Sequence, residues 1–168
     1  MALLEIVVYP DERLQTKSEP VAEVNDQIRK LIDDMAETMY TAPGIGLAAN
    51  QVGVNQRVIV VDVEYSDAAP NLIALINPEI TESQGEIAWE EGCLSFPEIH
   101  EEILRSAHLK VKALDRNGEP FEIAADGLLA IALQHEIDHL NGVLLIDHVS
   151  FLKRRMIHRQ LVKYKRSR

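Results

Sequence analysis

Hydrophobic positions along the chain change period several times, and each change marks an element. In "NDQIRKLIDDMAETMY" (25–40), Ile28, Leu31, Ile32, Met35 and Met39 recur at helical spacing, with Asn25 placed to cap. "TAPGIG" should end that helix, because Pro and Gly continue one poorly. "RVIVVDV" (57–63) and "LIALINP" (72–78) are short, β-branched apolar runs that predict buried strands. "GEIAWEEG", "LKVKALD" and "FEIA" predict shorter antiparallel strands, with "DRNGEP" (115–120) as a hairpin connection. Helical spacing returns from Gly127 to Asn141, with Asp126 as N-cap and Gly142 as the stop. A terminal helix is predicted over 150–165, anchored by Phe151, Leu152, Met156 and Leu161. Strands grouped between helices, without regular alternation, predict an α+β fold. Its mostly antiparallel sheet would pack around a central helix, with a further helix at the C-terminus.

At 168 residues, 46% hydrophobic and 26% charged, the chain fits one globular domain. The expected division is a body of residues 1–149 and a basic helix, 150–168, belonging to the same domain. No apolar run reaches membrane-spanning length, so no membrane partner is expected. "MALLEIVVYPDERLQ" has neither a signal-peptide nor a transit-peptide plan, and one cysteine cannot form an internal disulfide. Both point to the cytoplasm. The net charge of −10 conceals an asymmetry. Residues 150–168 hold eight Lys/Arg and no acid (+8), while the rest holds nine Lys/Arg against 27 Asp/Glu (−18). Such a tail is either a solvated helix that offsets the body or a dock for a polyanion.

The chemistry concentrates in "QHEIDHLNG" (134–142), a His-Glu-x-x-His pattern on the second helix. His135 and His139 lie about 40° apart around that helix and about 6 Å apart along it, so both imidazoles can reach one ion. Glu136 flanks that face, where it can reach a water beside the ion. A lone buried His is usually a hydrogen-bonded core residue; two at this spacing with the Glu indicate a metal. The third ligand is open on spacing alone. Leu145 stands six residues after His139, where one zinc-peptidase plan has a His, and no Glu follows Glu136. Asp147, His148 and Cys93 remain as candidates. A thiolate with two imidazoles would leave a fourth position for water. Cys93 could equally be a small buried hydrophobe or a nucleophile with a histidine base.

Three motifs taken together, "GIGLAANQ" (44–51), "EGCLS" (91–95) and "QHEIDHLNG", resemble the peptide deformylase family in order and separation. The resemblance extends through "YPDERL" (9–14), "NPEI" (77–80) and "ADGLLAIALQHE" (125–136). It implies hydrolytic removal of the N-formyl group from the N-terminal methionine of nascent chains, with release of formate. It implies Cys93, His135 and His139 as metal ligands and Glu136 as general base and acid. Gln51 and the Leu94 N–H become the oxyanion donors. Gly44, Ile45 and Gly46 would pair with an extended substrate. Ile45, Trp89, Leu128 and Ile131 would line the methionine pocket, though the last two could be ordinary core. The family's ion is typically Fe2+, with Zn2+, Ni2+ or Co2+ able to replace it; ligand type alone does not choose among them. Many bacterial members carry an arginine shortly after "CLS" that holds the substrate backbone. Here His100 stands near that place and the first arginine is Arg105, so the role is unassigned. The basic terminal helix is similar to that of deformylases that dock on the ribosome near the exit tunnel. Two rivals stand beside this: a metallopeptidase, and a ribosome-binding factor with a closed structural metal site completed by Asp147 or His148.

Overall fold

The computed structural model describes residues 2–64 and 70–167. Helix α1 runs Asp26–Thr41, and Asn25 Oδ1 accepts from the Ile28 N–H at 3.1 Å, the expected cap. Its buried face is Ile28, Ile32, Met35 and Met39, while Leu31 is half-buried. Strands β1 (Gly46–Ala48), β2 (Val58–Val61), β3 (Ile73–Gln84), β6 (His108–Leu114) and β7 (Pro120–Asp126) form one antiparallel sheet in the order β1-β2-β3-β6-β7. Strands β4 (Ile87–Cys93) and β5 (Phe96–Arg105) pair separately as an antiparallel hairpin. Helix α2 spans Gly127–Leu140 and helix α3 spans Phe151–Arg166.

The apolar run of β2 has a direct physical cause. Val58 and Val60 face α1, packing with Ile32, Met35 and Met39. Ile59 and Val61 face α2, packing with Leu133, Ile137 and Leu140. A strand covered on both sides shows no alternation. The sheet therefore lies between the two helices, and α2 is held against its inner strands. Arg57 donates to the Leu140 carbonyl at 3.0 Å, a cation at the α2 C-terminus. Gly142 takes φ +74 there, and an added Cβ would meet the Gln15 carbonyl oxygen at 2.7 Å, so a glycine ends this helix.

Four expectations need correction. Strand β3 continues to Gln84, six residues past the apolar run, because its polar half pairs with β6 and sets Glu79 against Lys112 and Glu82 near Lys110. Strand β5 was not foreseen: Pro97 interrupts its pattern, Glu98 takes φ +66, and its last buried residue is an arginine. Asp126 stands in the extended N-cap conformation but makes no side-chain cap bond. In α3 the anchors differ. Phe151, Leu152 and Met156 are 74%, 69% and 61% exposed, and the buried residues are Ile157 and Leu161. These two pack with Tyr9, Phe96 and Leu145 in a core beneath the β4–β5 hairpin. Ser150 caps the helix, accepting from the Lys153 N–H. Of the eight basic tail residues, Arg168 lies outside the described residues.

Candidate metal centre

Helix α2 aims His135 and His139 at the β4 end that carries Cys93. The Cys93 Sγ lies 3.3 Å from His139 Nε2, which lies 3.2 Å from His135 Nε2. Among the described residues these three are the group whose ligand atoms converge, all within 4.8 Å of one another. Asp147 and His148 are committed elsewhere. Asp147 accepts from the Leu144 N–H at 2.7 Å, and His148 meets Asp138 at 2.9 Å. Of the three candidates for a third donor, Cys93 is the one grouped with His135 and His139. A soft thiol and two imidazole nitrogens suit a first-row divalent ion. The residues also fit one electrostatically, since a cation there would relieve their crowding.

Two groups around the cluster fix it. His135 Nδ1 donates to Glu91 Oε1 at 2.9 Å, which holds the ring with Nε2 toward His139. Glu91 in turn receives two bonds from Arg105, both 2.9 Å, and Arg105 also binds Asp138. Burial pushes the Glu91 carboxyl up, but the bonds from Arg105 and His135 outweigh it and hold the pKa at about 2. For His135 burial acts downward, and the charges of Glu136 and Cys93 carry its pKa well above the usual value. Burial, with the charge of His135 beside it, pushes His139 well below. The loop after β1 supplies further bonds. Asn50 Nδ2 donates to the His139 carbonyl at 2.6 Å. Gln51 Oε1 accepts from the Ala48 N–H at 2.9 Å, which turns its Nε2 toward Ser95 Oγ (3.1 Å) and Cys93 Sγ (3.5 Å).

Glu136 is 4% exposed and its Oε1 has no hydrogen-bond partner among the described residues. Burial raises its pKa to about 7. Gly46 makes room for it: a Cβ there would stand 2.5 Å from Glu136 Oε2. The site opens on a cleft of about 880 Å³. Its walls include Gly44, Ile45, Gly46, Gln51, Trp89, Cys93, Leu94, Leu128, Ile131, His135 and Glu136. His139 lies behind them, buried. Ile45 and Trp89 are both exposed on the cleft wall. Of the two candidates for holding a substrate backbone, Arg105 is buried in its ion pairs and absent from the cleft lining, whereas His100 lines it.

Several contributors were not foreseen. Glu91 and Asn50 lie inside recognised motifs, so their places were visible although their bonds were not. Arg105, which the sequence offers only as a substrate contact, pairs instead with Glu91 and Asp138. The segment containing Leu3, Leu4 and Glu5 and the α3 residue Tyr164 also line the cleft. Val7 and Tyr9 tie that segment down through bonds to the Gln51 and Ser95 carbonyls.

A thiol–bis-imidazole cluster beside a buried carboxyl, in a cleft between a sheet edge and a hairpin, is an arrangement suited to a metal-assisted hydrolase. The comparisons narrow this. Residues 3–155 match the family model for polypeptide deformylase. The chain is 58% identical to a peptide deformylase of Thermodesulfovibrio yellowstonii over 95% of its length and 97% of the relative's. It is 54% identical to one of Alkalilimnicola ehrlichii, over 97% and 91%. The solved structure of the Ehrlichia chaffeensis peptide deformylase in complex with actinonin superposes with a TM-score of 0.93 at 42% identity, covering 99% of both chains. The chain belongs to the peptide deformylase family. It is an enzyme of that family, and its activity is removal of the N-formyl group from the N-terminal methionine of new proteins.

Proposed function

We propose that Cys93, His135 and His139 hold one divalent ion, Fe2+ in the cell with Zn2+, Ni2+ or Co2+ as replacements, and that Glu136 moves the proton of formyl hydrolysis. The observation that carries this is the convergence of Sγ and two Nε2 atoms beside a buried carboxyl with an unpartnered oxygen. When bound, the ion supplies Lewis-acid chemistry, polarising a carbonyl and acidifying water. Glu136 accepts a proton from the attacking water at a carboxylate oxygen and returns it to the departing amine. Gln51 Nε2 and the Leu94 N–H meet the charge that develops on the formyl oxygen. The Ala48 bond to Gln51 Oε1 keeps the amide from turning its oxygen there. Gly44, Ile45 and Gly46 lead into β1, the edge strand of the sheet, and would pair there with an extended substrate. Ile45, Trp89, Leu128 and Ile131 surround its methionine side chain.

The reaction takes place in the cytoplasm on emerging N-formylmethionyl chains, by one domain of residues 1–149 with helix 150–168 as an integral part. The exposed basic face of α3 supports docking on ribosomal phosphates near the exit tunnel. The test is formate release by the anaerobically purified, iron-loaded protein. Formyl-Met-Ala-Ser should yield formate and acetyl-Met-Ala-Ser should be inert. Cleavage of a peptide bond in the acetyl peptide would make the protein a metallopeptidase instead.

A further inference from the structure

Two polar side chains of α1, Asp34 and Thr38, are each 4% exposed, and neither belongs to the metal centre. Buried polar groups need partners, and theirs come from the N-terminal segment, residues 2–9. Asp34 Oδ1 accepts from the Ala2 N–H at 2.7 Å, and Thr38 Oγ1 accepts from the Leu4 N–H at 2.9 Å. Four residues of helix and two of extended chain both cover about 6–7 Å, so donors two apart can meet acceptors four apart. Each acceptor is itself held. Lys30 Nζ binds Asp34 Oδ2 at 2.7 Å. The Thr38 hydroxyl donates to the Asp34 carbonyl at 2.7 Å, which turns the lone pairs of its oxygen toward Leu4.

The other half of the segment reaches the site. The Tyr9 N–H donates to the Ser95 carbonyl at 3.0 Å, and the Tyr9 ring stacks on Phe96 with centroids 5.1 Å apart. Between these two anchorages, the Val7 N–H donates to the Gln51 carbonyl at 2.7 Å. That bond has a local cause. Gln51 lies in the short helical turn Ala49–Val52, where the Gly53 N–H takes the Asn50 carbonyl and the Val54 N–H takes the Ala49 carbonyl. The Gln51 carbonyl, nearer the end of the turn, accepts from outside it, as carbonyls at helix ends do. A strap pinned at both ends thus fixes the backbone from which the Gln51 amide reaches Ser95 and Cys93.

We infer that Asp34 and Thr38 are positioning residues for formyl hydrolysis, acting through the strap of residues 2–9 on the place of the Gln51 amide. This rests on the reading of Gln51 as an oxyanion donor. Such a donor must stand about 3 Å from a charge that exists only in the transition state. A small displacement therefore lowers kcat and spares ground-state binding. Thr38 also lines the cleft, and a direct contact with bound substrate would act the other way, raising KM with kcat unchanged.

The experiment measures kcat, KM and metal stoichiometry with formyl-Met-Ala-Ser. Thr38→Val removes the acceptor at nearly constant volume and should lower kcat about tenfold, with KM and metal unchanged. Thr38→Ser should restore most of the rate. Asp34→Ala should repeat the loss, and Asp34→Asn, which keeps an acceptor, should restore it. Gln51→Ala should cost about 10²–10³-fold. In that background Thr38→Val should cost less than about twofold more, because the group it positions is gone. Hydrogen exchange should show the Val7 amide losing protection in Thr38→Val while the β2 amides keep theirs, which separates release of the strap from unfolding. Independent, multiplying losses in the double variant overturn the inference, as does a raised KM with kcat unchanged. A wild-type kcat in Thr38→Val and Asp34→Ala, with Gln51→Ala impaired, overturns it and leaves the oxyanion reading standing. A wild-type kcat in Gln51→Ala sinks that reading and the inference with it.

Discussion

Helices α2 and α3 follow each other in the chain and use charge in opposite ways. In α2 the ionisable side chains at the site are buried or half-buried, and two of them have charged partners: His135 with Glu91, and Asp138 with Arg105 and His148. In α3 the charges are dispersed on a solvated surface, and two apolar side chains, Ile157 and Leu161, hold the helix to the body. A buried charge without its partner costs several kcal/mol, so α2 and the strand it faces constrain each other residue by residue. An exposed charge costs little to change, so α3 is constrained by its two anchors and otherwise free to specialise its face. The two helices still share the cleft, since Tyr164 of α3 lines it.

The sharpest way to break this contrast is to orphan a buried charge. Arg105→Leu leaves Glu91 and Asp138 without their cation and should cost about 3–5 kcal/mol in chemical denaturation, with loosened metal binding through His135. A loss below about 1 kcal/mol would show that the ion-pair chain is not what holds the site. The same chain predicts a pH signature. The Glu91 pKa is depressed in the folded state to about 2, from an ordinary value of 4.5. Its contribution, up to about 3 kcal/mol, is therefore complete above pH 4.5 and lost as pH falls toward 2. Unfolding free energies of chelator-treated wild type and Glu91→Gln should differ in slope across that window. Parallel curves would remove Glu91 from the account.

On α3 the effects should be smaller and unevenly placed. Ile157→Ala should cost about 2–3 kcal/mol, because it empties a core position shared with Tyr9 and Phe96. Phe151→Ala should change stability by less than about 0.5 kcal/mol. Deleting the whole helix therefore confounds docking with unfolding, and Arg154→Glu/Arg155→Glu/Arg159→Glu is the cleaner variant. It should deformylate short peptides at the wild-type rate yet sediment less with ribosomes at low salt. Equal sedimentation would end the docking proposal.

This contrast also explains what was legible in the sequence. The candidate metal group was legible because helical spacing brings His135 and His139 together, and the resemblance carried by the motif containing Cys93 pointed to the third member. Strand β2 was visible because burial on both faces leaves an unbroken apolar run. Strand β5 was not, because its inward positions include Arg105, whose burial makes sense only once Glu91 and Asp138 are in place. The α3 anchors were misjudged because Phe151, Leu152 and Met156 look apolar enough to pack. Which apolar stripe meets the body depends on the approach of the helix to Tyr9 and Phe96, and that is a tertiary fact.

The central claim is that Cys93, His135 and His139 bind the metal while Glu136 serves only as the proton carrier. X-ray absorption on metal-loaded Glu136→Ala tests it most directly, read together with formate release. The account predicts one sulfur and two imidazole ligands, as in wild type, with stoichiometric metal and turnover reduced about 10²–10⁴-fold. Loss of the metal from Glu136→Ala, or a changed ligand set, would make Glu136 a ligand and contradict the assignment.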